Sequence, residues 1–225
     1  MEIKVLKDIL SANDQIAKEN RQLSDSNGVF TVNVMSSPGA GTPSLILETL
    51  RRLKGDVKLG AIEGDVSSSI DAETIGKEGV PVIQINTGGE CHLDASMTYR
   101  ALSNLPLQDI ELLFIENVGN LICTAEFAIG AHKNLVISST PEGFDKPLKY
   151  PLMFTVADVV LINKIDLLPY LRFDVEQCKA FARQVNPQIK IIELSCHSGE
   201  GMTEWYEWLT QGVNQKRGPR NAGRE

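Results

Sequence analysis

Several things that would fix a protein's class early are missing from this sequence. Its apolar runs are brief: the longest, such as Val159-Val160-Leu161-Ile162, are strand-sized and far too short to span a bilayer. Positive charge is not in excess. Twenty-two Lys and Arg stand against 29 Asp and Glu, a net charge of -7, whereas a general nucleic-acid binder carries a basic stripe. The one basic cluster, Lys216, Arg217, Arg220 and Arg224 among Gly and Pro, reads as a frayed tail over residues 215–225. The first ten residues alternate charged and apolar side chains and lack a small-residue cleavage site, so the expectation is a cytoplasmic protein without a secretory signal. Thiols stay reduced in that compartment. The four cysteines, Cys91, Cys123, Cys178 and Cys196, therefore read as buried small side chains or metal ligands and not as a disulfide framework. There is no internal repeat and no low-complexity block. Neither a G-x-S-x-G elbow nor a G-x-G-x-x-G fingerprint occurs, which disfavours acyl- and hydride-transferring enzymes.

What is present is an ordinary globular composition. The 225 residues are 42% hydrophobic and 23% charged, enough to bury a substantial core. In residues 1–28, Ile3, Leu6, Ile9, Leu10, Ile16, Ala17 and Leu23 recur mostly at steps of three and four, which predicts an amphipathic helix ended by Ser24-Asp25-Ser26-Asn27-Gly28. Over residues 29–214, β-rich runs at 29–35, 57–62, 81–85, 111–115, 134–138, 158–162 and 189–194 alternate with helix-length segments at 44–53, 70–77, 93–105, 175–186 and 202–213. That alternation predicts an α/β fold with a mostly parallel sheet covered by helices on both faces. Ligands of such sheets bind beyond the carboxyl ends of the strands, so the loops there are where chemistry is expected.

The loop after the first strand, Ser36-Ser37-Pro38-Gly39-Ala40-Gly41-Thr42-Pro43-Ser44, stands where a phosphate-binding loop belongs, with glycines that let backbone N–H groups gather around an anion at a helix N-terminus. Against G-x-x-x-x-G-K-[ST], Ser36 replaces the first glycine, Thr42 the lysine and Pro43 the Mg²⁺-binding hydroxyl residue. Loss of one charged hydrogen bond, about 1.5–3 kcal/mol, weakens phosphate binding roughly ten- to a hundredfold. Pro43 also removes an N–H donor. Ser44 keeps a hydroxyl, turned about 100° around the helix.

Other strand-end loops point the same way. In Asn163-Lys164-Ile165-Asp166 a carboxylate can accept from the N1–H and amino group of guanine, an edge adenine lacks, while the lysine stem covers the base. Ser195-Cys196-His197 offers backbone N–H groups to the guanine O6. Glu116-Asn117-Val118-Gly119 places an acid for Mg²⁺ and a glycine N–H for a terminal phosphate, and Asp65, in Glu63-Gly64-Asp65, can bind Mg²⁺ or orient a water. A soft-ligand set stands apart from these. Cys91 and His92 follow Gly88-Gly89-Glu90, and Cys123 follows the next strand; thiolate and imidazole suit nickel or zinc. Three ligands leave such an ion undercoordinated, and a two-fold dimer would complete the site. Cys178, beside Phe181 on a helix, reads as core.

Taken together these residues resemble the HypB GTPases of [NiFe]-hydrogenase maturation. The resemblance runs from about Ile16 to Trp208. It rests on Ile16-Ala17-Lys18-Glu19-Asn20-Arg21, Val34-Met35-Ser36-Ser37-Pro38-Gly39-Ala40-Gly41, Ile62-Glu63-Gly64-Asp65, Asp71-Ala72-Glu73, Asn163-Lys164-Ile165-Asp166 and Gly199-Glu200-Gly201-Met202. Its most specific parts are Gly88-Gly89-Glu90-Cys91-His92-Leu93-Asp94-Ala95 and Glu116-Asn117-Val118-Gly119-Asn120-Leu121-Ile122-Cys123. The resemblance implies a SIMIBI-type P-loop NTPase sheet, GTP and Mg²⁺ as ligands, slow hydrolysis and a GTP-dependent homodimer with Ni²⁺ or Zn²⁺ between subunits. By position it implies Cys91, His92 and Cys123 as metal ligands, Asp65 and Glu116 at Mg²⁺, and Gly39, Ala40, Gly41, Thr42, Ser44, Gly119, Asn163, Lys164, Asp166, Ser195, Cys196 and His197 around the nucleotide. It further implies a hydrogenase large-subunit precursor as client, and a HypA-type metallochaperone docked on the leader helix, where Ile3, Val5, Leu6 and Ile9 supply apolar contact. The family carries Lys-Thr or Lys-Ser where this chain has Thr42-Pro43, and Ser-x-Lys where it has Ser195-Cys196-His197. The departures leave a second reading open, a metal-binding adaptor that no longer turns over GTP.

Overall fold

The computed structural model describes residues 4–66 and 69–217, with side chains from residue 11 onward. Seven strands form one sheet: β1 (Phe30–Ser36), β2 (Leu59–Asp65), β3 (Val82–Asn86), β4 (Leu112–Glu116), β5 (Lys133–Ser139), β6 (Val159–Asn163) and β7 (Lys190–Glu193). Their order is β3-β2-β4-β1-β5-β6-β7, and every neighbouring pair is parallel. The helices are α1 (Lys4–Ser26), α2 (Thr42–Leu53), α3 (Ile70–Gly76), α4 (Ala95–Leu102), α5 (Cys123–Glu126), α6 (Lys146–Lys149), α7 (Pro151–Val156), α8 (Val175–Val185) and α9 (Met202–Arg217). The chain winds to one side of β1 through β2, β3 and β4, then crosses to the other side with β5. The carboxyl end of β1 is thus the switch point where ligands of such sheets bind.

Alternation along the strands divides the core. Phe30, Val32 and Val34 of β1, with Leu112 and Phe114 of β4, face α2, α3 and α9, where Trp205 is fully buried and its Nε1–H donates to Thr49 Oγ1 at 2.9 Å. Leu113 and Ile115 face the other way, toward α4, and Met35, Val136 and Val160 toward α7 and α8. The second face of β1 is not uniformly aliphatic. Thr31 and Asn33 are buried there, and the Asn33 amide donates to Asn134 Oδ1 on β5 at 3.1 Å.

Three features depart from the sequence reading. Strands run one to three residues further toward their carboxyl ends in six cases, so Asp65, Glu116 and Asn163 are final ladder residues and not loop residues. The stretch between β5 and β6 holds α6 and α7, where Pro147 and Pro151 stand in first turns; such prolines start helices as readily as they break them. The basic cluster does not begin a tail at 215. Helix α9 continues to Arg217, which grips Glu111 through Nε (2.7 Å) and Nη2 (2.6 Å), and Lys216 pairs with Asp25; Arg220 and Arg224 lie outside the described residues.

The leader is helical as its periodicity predicts, but its inward stripe is Asn13, Ala17, Asn20 and Ser24, three of them polar. The Asn13 amide donates to Ala128 O at 2.8 Å and accepts from Ala95 N at 2.9 Å; Asn20 Nδ2 donates to Ala95 O (2.8 Å) and Ile129 O (3.0 Å). Hydrogen bonds therefore dock α1 on its own domain. They do so against two segments that continue directly from the cysteine-bearing loops.

Candidate nucleotide and metal site

The phosphate-type loop is held from behind by the end of β6. Gly41 caps α2 in the left-handed region (φ 101°), and a Cβ there would lie 2.6 Å from Asn163 Nδ2, so only glycine fits. Asn163 uses both ends of its amide inside the protein. Nδ2 donates to Ala40 O at 2.9 Å, and Oδ1 accepts from Lys164 N at 2.8 Å. Lys164 is itself left-handed (φ 64°), which turns its chain over the loop so that Nζ donates to Gly39 O at 2.6 Å. Thr42 is buried and its hydroxyl is 2.9 Å from Ser36 Oγ, so the side chain turns inward on the end of β1. Ser44 is exposed at the cleft, contrary to the expectation that it turns away.

A cleft of about 470 Å³ opens beside this loop, lined by Gly41, Ser44, Lys164, Asp166, Cys196 and His197 among others. The Ser195 hydroxyl donates to Asp166 Oδ1 at 2.5 Å, which aims the carboxylate. Two backbone N–H groups of the turn expected to offer donors to guanine are already used inside the protein. Ser195 N donates to Glu200 O at 2.9 Å and His197 N to Ser195 Oγ at 3.2 Å. Burial raises the Cys196 thiol to about 11, so it stays protonated, with Sγ 3.8 Å from Asn163 Oδ1.

On the other side of the loop the ladder register places Glu63 of β2 directly beside Glu116 of β4. The two carboxyls face each other, and Glu63 Oε1 and Glu116 Oε2 find no other donor among the described residues. Burial raises both above the ordinary carboxylate range, and the charge of Glu116 lifts Glu63 further. Asp65 and Asp71 add to the negative field. Glu63, only 3% exposed, was passed over in the sequence; its alternation two residues before Asp65 is the signal that puts both on one strand, but only pairing with β4 brings it to Glu116. Gly119 packs on the phosphate-type loop, where a Cβ would meet Pro38 Cγ at 3.1 Å.

Cys91, His92 and Cys123 do come together: one ligand atom from each lies within 4.8 Å of the others, all half-buried. Cys91 Sγ is 3.8 Å from His92 Nδ1, and the His92 ring stacks on Phe127 with centroids 3.9 Å apart. Asn120 Oδ1 accepts from Ile122 N (2.7 Å) and Cys123 N (3.2 Å), and its Nδ2 is 3.8 Å from Cys123 Sγ. The neighbouring Cys91 thiol, then burial, raises the Cys123 thiol above its usual range. Cys178 is buried in the core as expected and takes no part.

A parallel sheet with a glycine loop at its switch point and an N-K-x-D turn beside it defines a P-loop-type nucleotide-binding protein. Comparison with known proteins agrees. The family model described as CobW/HypB/UreG, nucleotide-binding domain, matches residues 30–193. The hydrogenase maturation factor HypB of Escherichia coli strain K12 is 51% identical over 202 residues, spanning 90% of this chain and 70% of that protein. The crystal structure of HypB from Archaeoglobus fulgidus superposes with a TM-score of 0.86 at 41% identity, covering 91% of this chain and all of that one. The structure of Helicobacter pylori HypB in complex with nickel gives a TM-score of 0.87 at 36% identity over 94% of this chain and all of that one. The chain belongs to the HypB family of hydrogenase maturation factors. Of the two readings the sequence leaves open, this membership favours the nucleotide-binding one over the adaptor. No helix among the described residues is long and apolar enough to cross a membrane.

Proposed function

We propose that the chain binds GTP with Mg²⁺ at the carboxyl ends of β1, β4, β6 and β7, and carries Ni²⁺ or Zn²⁺ as cargo on Cys91, His92 and Cys123 for delivery to a hydrogenase large-subunit precursor in the cytoplasm. The observation that carries this reading is the convergence of the three soft ligands within 4.8 Å on the same sheet rim as the Asp166 cleft.

The residues fit a guanine base better than they fit its phosphates. Asp166, aimed by Ser195, accepts from the guanine edge, Lys164 covers the base, and Cys196 supplies the remaining backbone donor of its turn. Asn163 works at one remove, tying the phosphate-type loop to the base site. For Mg²⁺ the fit is the pair of orphaned acceptors on Glu63 and Glu116, with Asp65 at the same strand end. A bound divalent cation supplies the positive charge that this acidic pocket lacks. At the phosphates, Thr42 and Pro43 withhold a charge and a donor, so slow turnover is expected.

Three ligands from one chain leave a first-row metal short of its usual coordination. A second copy related by a two-fold axis supplies the rest, and Ile122, 57% exposed next to Cys123, offers apolar surface for that contact. A HypA-type metallochaperone is proposed to meet the first turns of α1. Of the apolar residues expected there, Ile3 and the side chains of Val5, Leu6 and Ile9 lie outside the described residues. The test is metal titration with sedimentation in parallel. The reading expects about one tightly held Ni²⁺ per two chains and a dimer fraction that rises with GTP–Mg²⁺. Undiminished Ni²⁺ affinity in both Cys91→Ala and Cys123→Ala would contradict it.

A further inference from the structure

The two halves of the metal cluster hang on different loops, which meet at the His92–Phe127 stack and, deeper in the fold, through one buried amide side chain. Cys91 and His92 lie on the loop after β3; Cys123 lies at the far end of the segment that begins with Glu116. Between them stands Asn117, 3% exposed. Its Oδ1 accepts from Leu93 N at 2.8 Å and from Val118 N at 3.0 Å, and its Nδ2 donates to Asn33 Oδ1 at 3.2 Å. Leu93 is the residue next to His92, and its fully buried side chain packs over Gly64, in the strand end that carries Glu63 and Asp65.

We propose that Asn117 is a positioning residue that couples nucleotide occupancy to the geometry of the Cys91–His92–Cys123 cluster. This rests on the reading of the two sites given above. The segment 116–123 touches the phosphate-type loop through Gly119 and Pro38 and holds Cys123 four residues later, so a displacement there reaches Cys123 through the chain itself. The His92–Phe127 stack joins the two halves at their outer ends. The Asn117–Leu93 hydrogen bond joins them at the strand end, where the nucleotide-side segment begins. It carries the movement of the Glu116 end to the backbone beside His92, so both halves shift as one body. The bond is buried and donor and acceptor have no solvent substitute, which makes it costly to break and therefore able to transmit displacement. Asn33 and the two N–H groups of Leu93 and Val118 fix the orientation of the Asn117 side chain, while Asn134 bonds only to Asn33 at the next position of the amide chain.

The experiment measures Ni²⁺ affinity of the full chain with and without GTP–Mg²⁺, in the wild type, in Asn117→Ala, in Asn117→Ser and in Asn134→Ala as a control that disturbs the same buried amide chain without touching Leu93. In the wild type, GTP–Mg²⁺ is expected to change the Ni²⁺ dissociation constant at least about fivefold. Asn117→Ala is expected to bring that ratio to within twofold of one, Asn117→Ser to restore part of it, and Asn134→Ala to keep it. A lost ratio in Asn134→Ala equal to that in Asn117→Ala would mean a general structural role and overturn the proposal. A wild-type chain whose Ni²⁺ affinity ignores GTP refutes the two-site reading; a coupled wild type whose ratio survives in Asn117→Ala refutes the role of Asn117 alone. Hydrogen exchange at the Leu93 amide of the wild type decides the matter even if the variants do not fold. Its rate is expected to change with GTP–Mg²⁺ together with that of Asn120, and an unchanged Leu93 beside a changed Asn120 would overturn the link.

Discussion

At the scale of single residues, Thr42 and Pro43 set the largest quantitative expectation. Thr42 is turned inward on Ser36, so no cation reaches out of the phosphate-type loop from that position. Replacing the pair by Thr42→Lys with Pro43→Thr is expected to tighten GTP about ten- to a hundredfold, the value of a charged hydrogen bond, and to raise turnover, both read by calorimetry and phosphate release. Unchanged affinity would mean the loop is not what limits binding. Asp166→Asn is expected to reduce the preference for GTP over ATP by about tenfold or more, since it removes the charged acceptor of the guanine edge. These residues were legible from the sequence because each is local to a strand end. Glu63 and Asn117 were not. Their partners, Glu116 and Leu93, are 53 and 24 positions away, and only the parallel register and the packing of the β3 loop bring them into contact.

At the scale of elements, the strands were legible because a sheet covered on both faces needs continuous aliphatic runs, and all seven runs were found. Their ends were not, because ladder pairing extends polar residues such as Asp65 and Asn163 that composition assigns to loops. Helix α1 gives the clearest case of a right element with the wrong adhesive. Its periodicity marks an apolar stripe, yet asparagines dock it. Asn20→Ala removes the buried hydrogen bonds to Ala95 O and Ile129 O and is expected to lower stability by about 1–3 kcal/mol in urea unfolding, whereas Gln15→Ala on the exposed side should stay within about 0.5 kcal/mol. The other end of α1 is pinned by Asp25, whose carboxylate accepts from His132 Nε2 at 2.8 Å, while His132 Nδ1 accepts from Thr31 N at 3.0 Å. Burial lowers His132 to about 4 despite the Asp25 carboxylate, which pulls the other way. A lowered histidine is neutral in the native state, so its contribution is intact above the unfolded value of about 6.5 and drains away as pH falls toward 4. Unfolding stability should therefore decline across that window, by about 2–3 kcal/mol, and His132→Gln should flatten the decline.

At the scale of the whole molecule, one sheet edge gathers all the chemistry. The acid pair stands in the last residues of β2 and β4, and the glycine loop, the guanine-side turn and the thiol–imidazole cluster follow strand carboxyl ends, as a doubly wound parallel sheet dictates. The helical layers beneath carry the core, and the loops above are free to respond to a ligand. The measurement that tests this arrangement most directly is calorimetric titration of the wild-type chain with GTP–Mg²⁺, with ATP–Mg²⁺ as the comparison, each run with and without prior loading of Ni²⁺. GTP should bind and ATP should not. Nickel should shift the GTP affinity by the same factor that GTP shifts nickel, as linkage requires. Equal binding of both nucleotides, or GTP isotherms that superpose whether or not the thiols hold nickel, would contradict it.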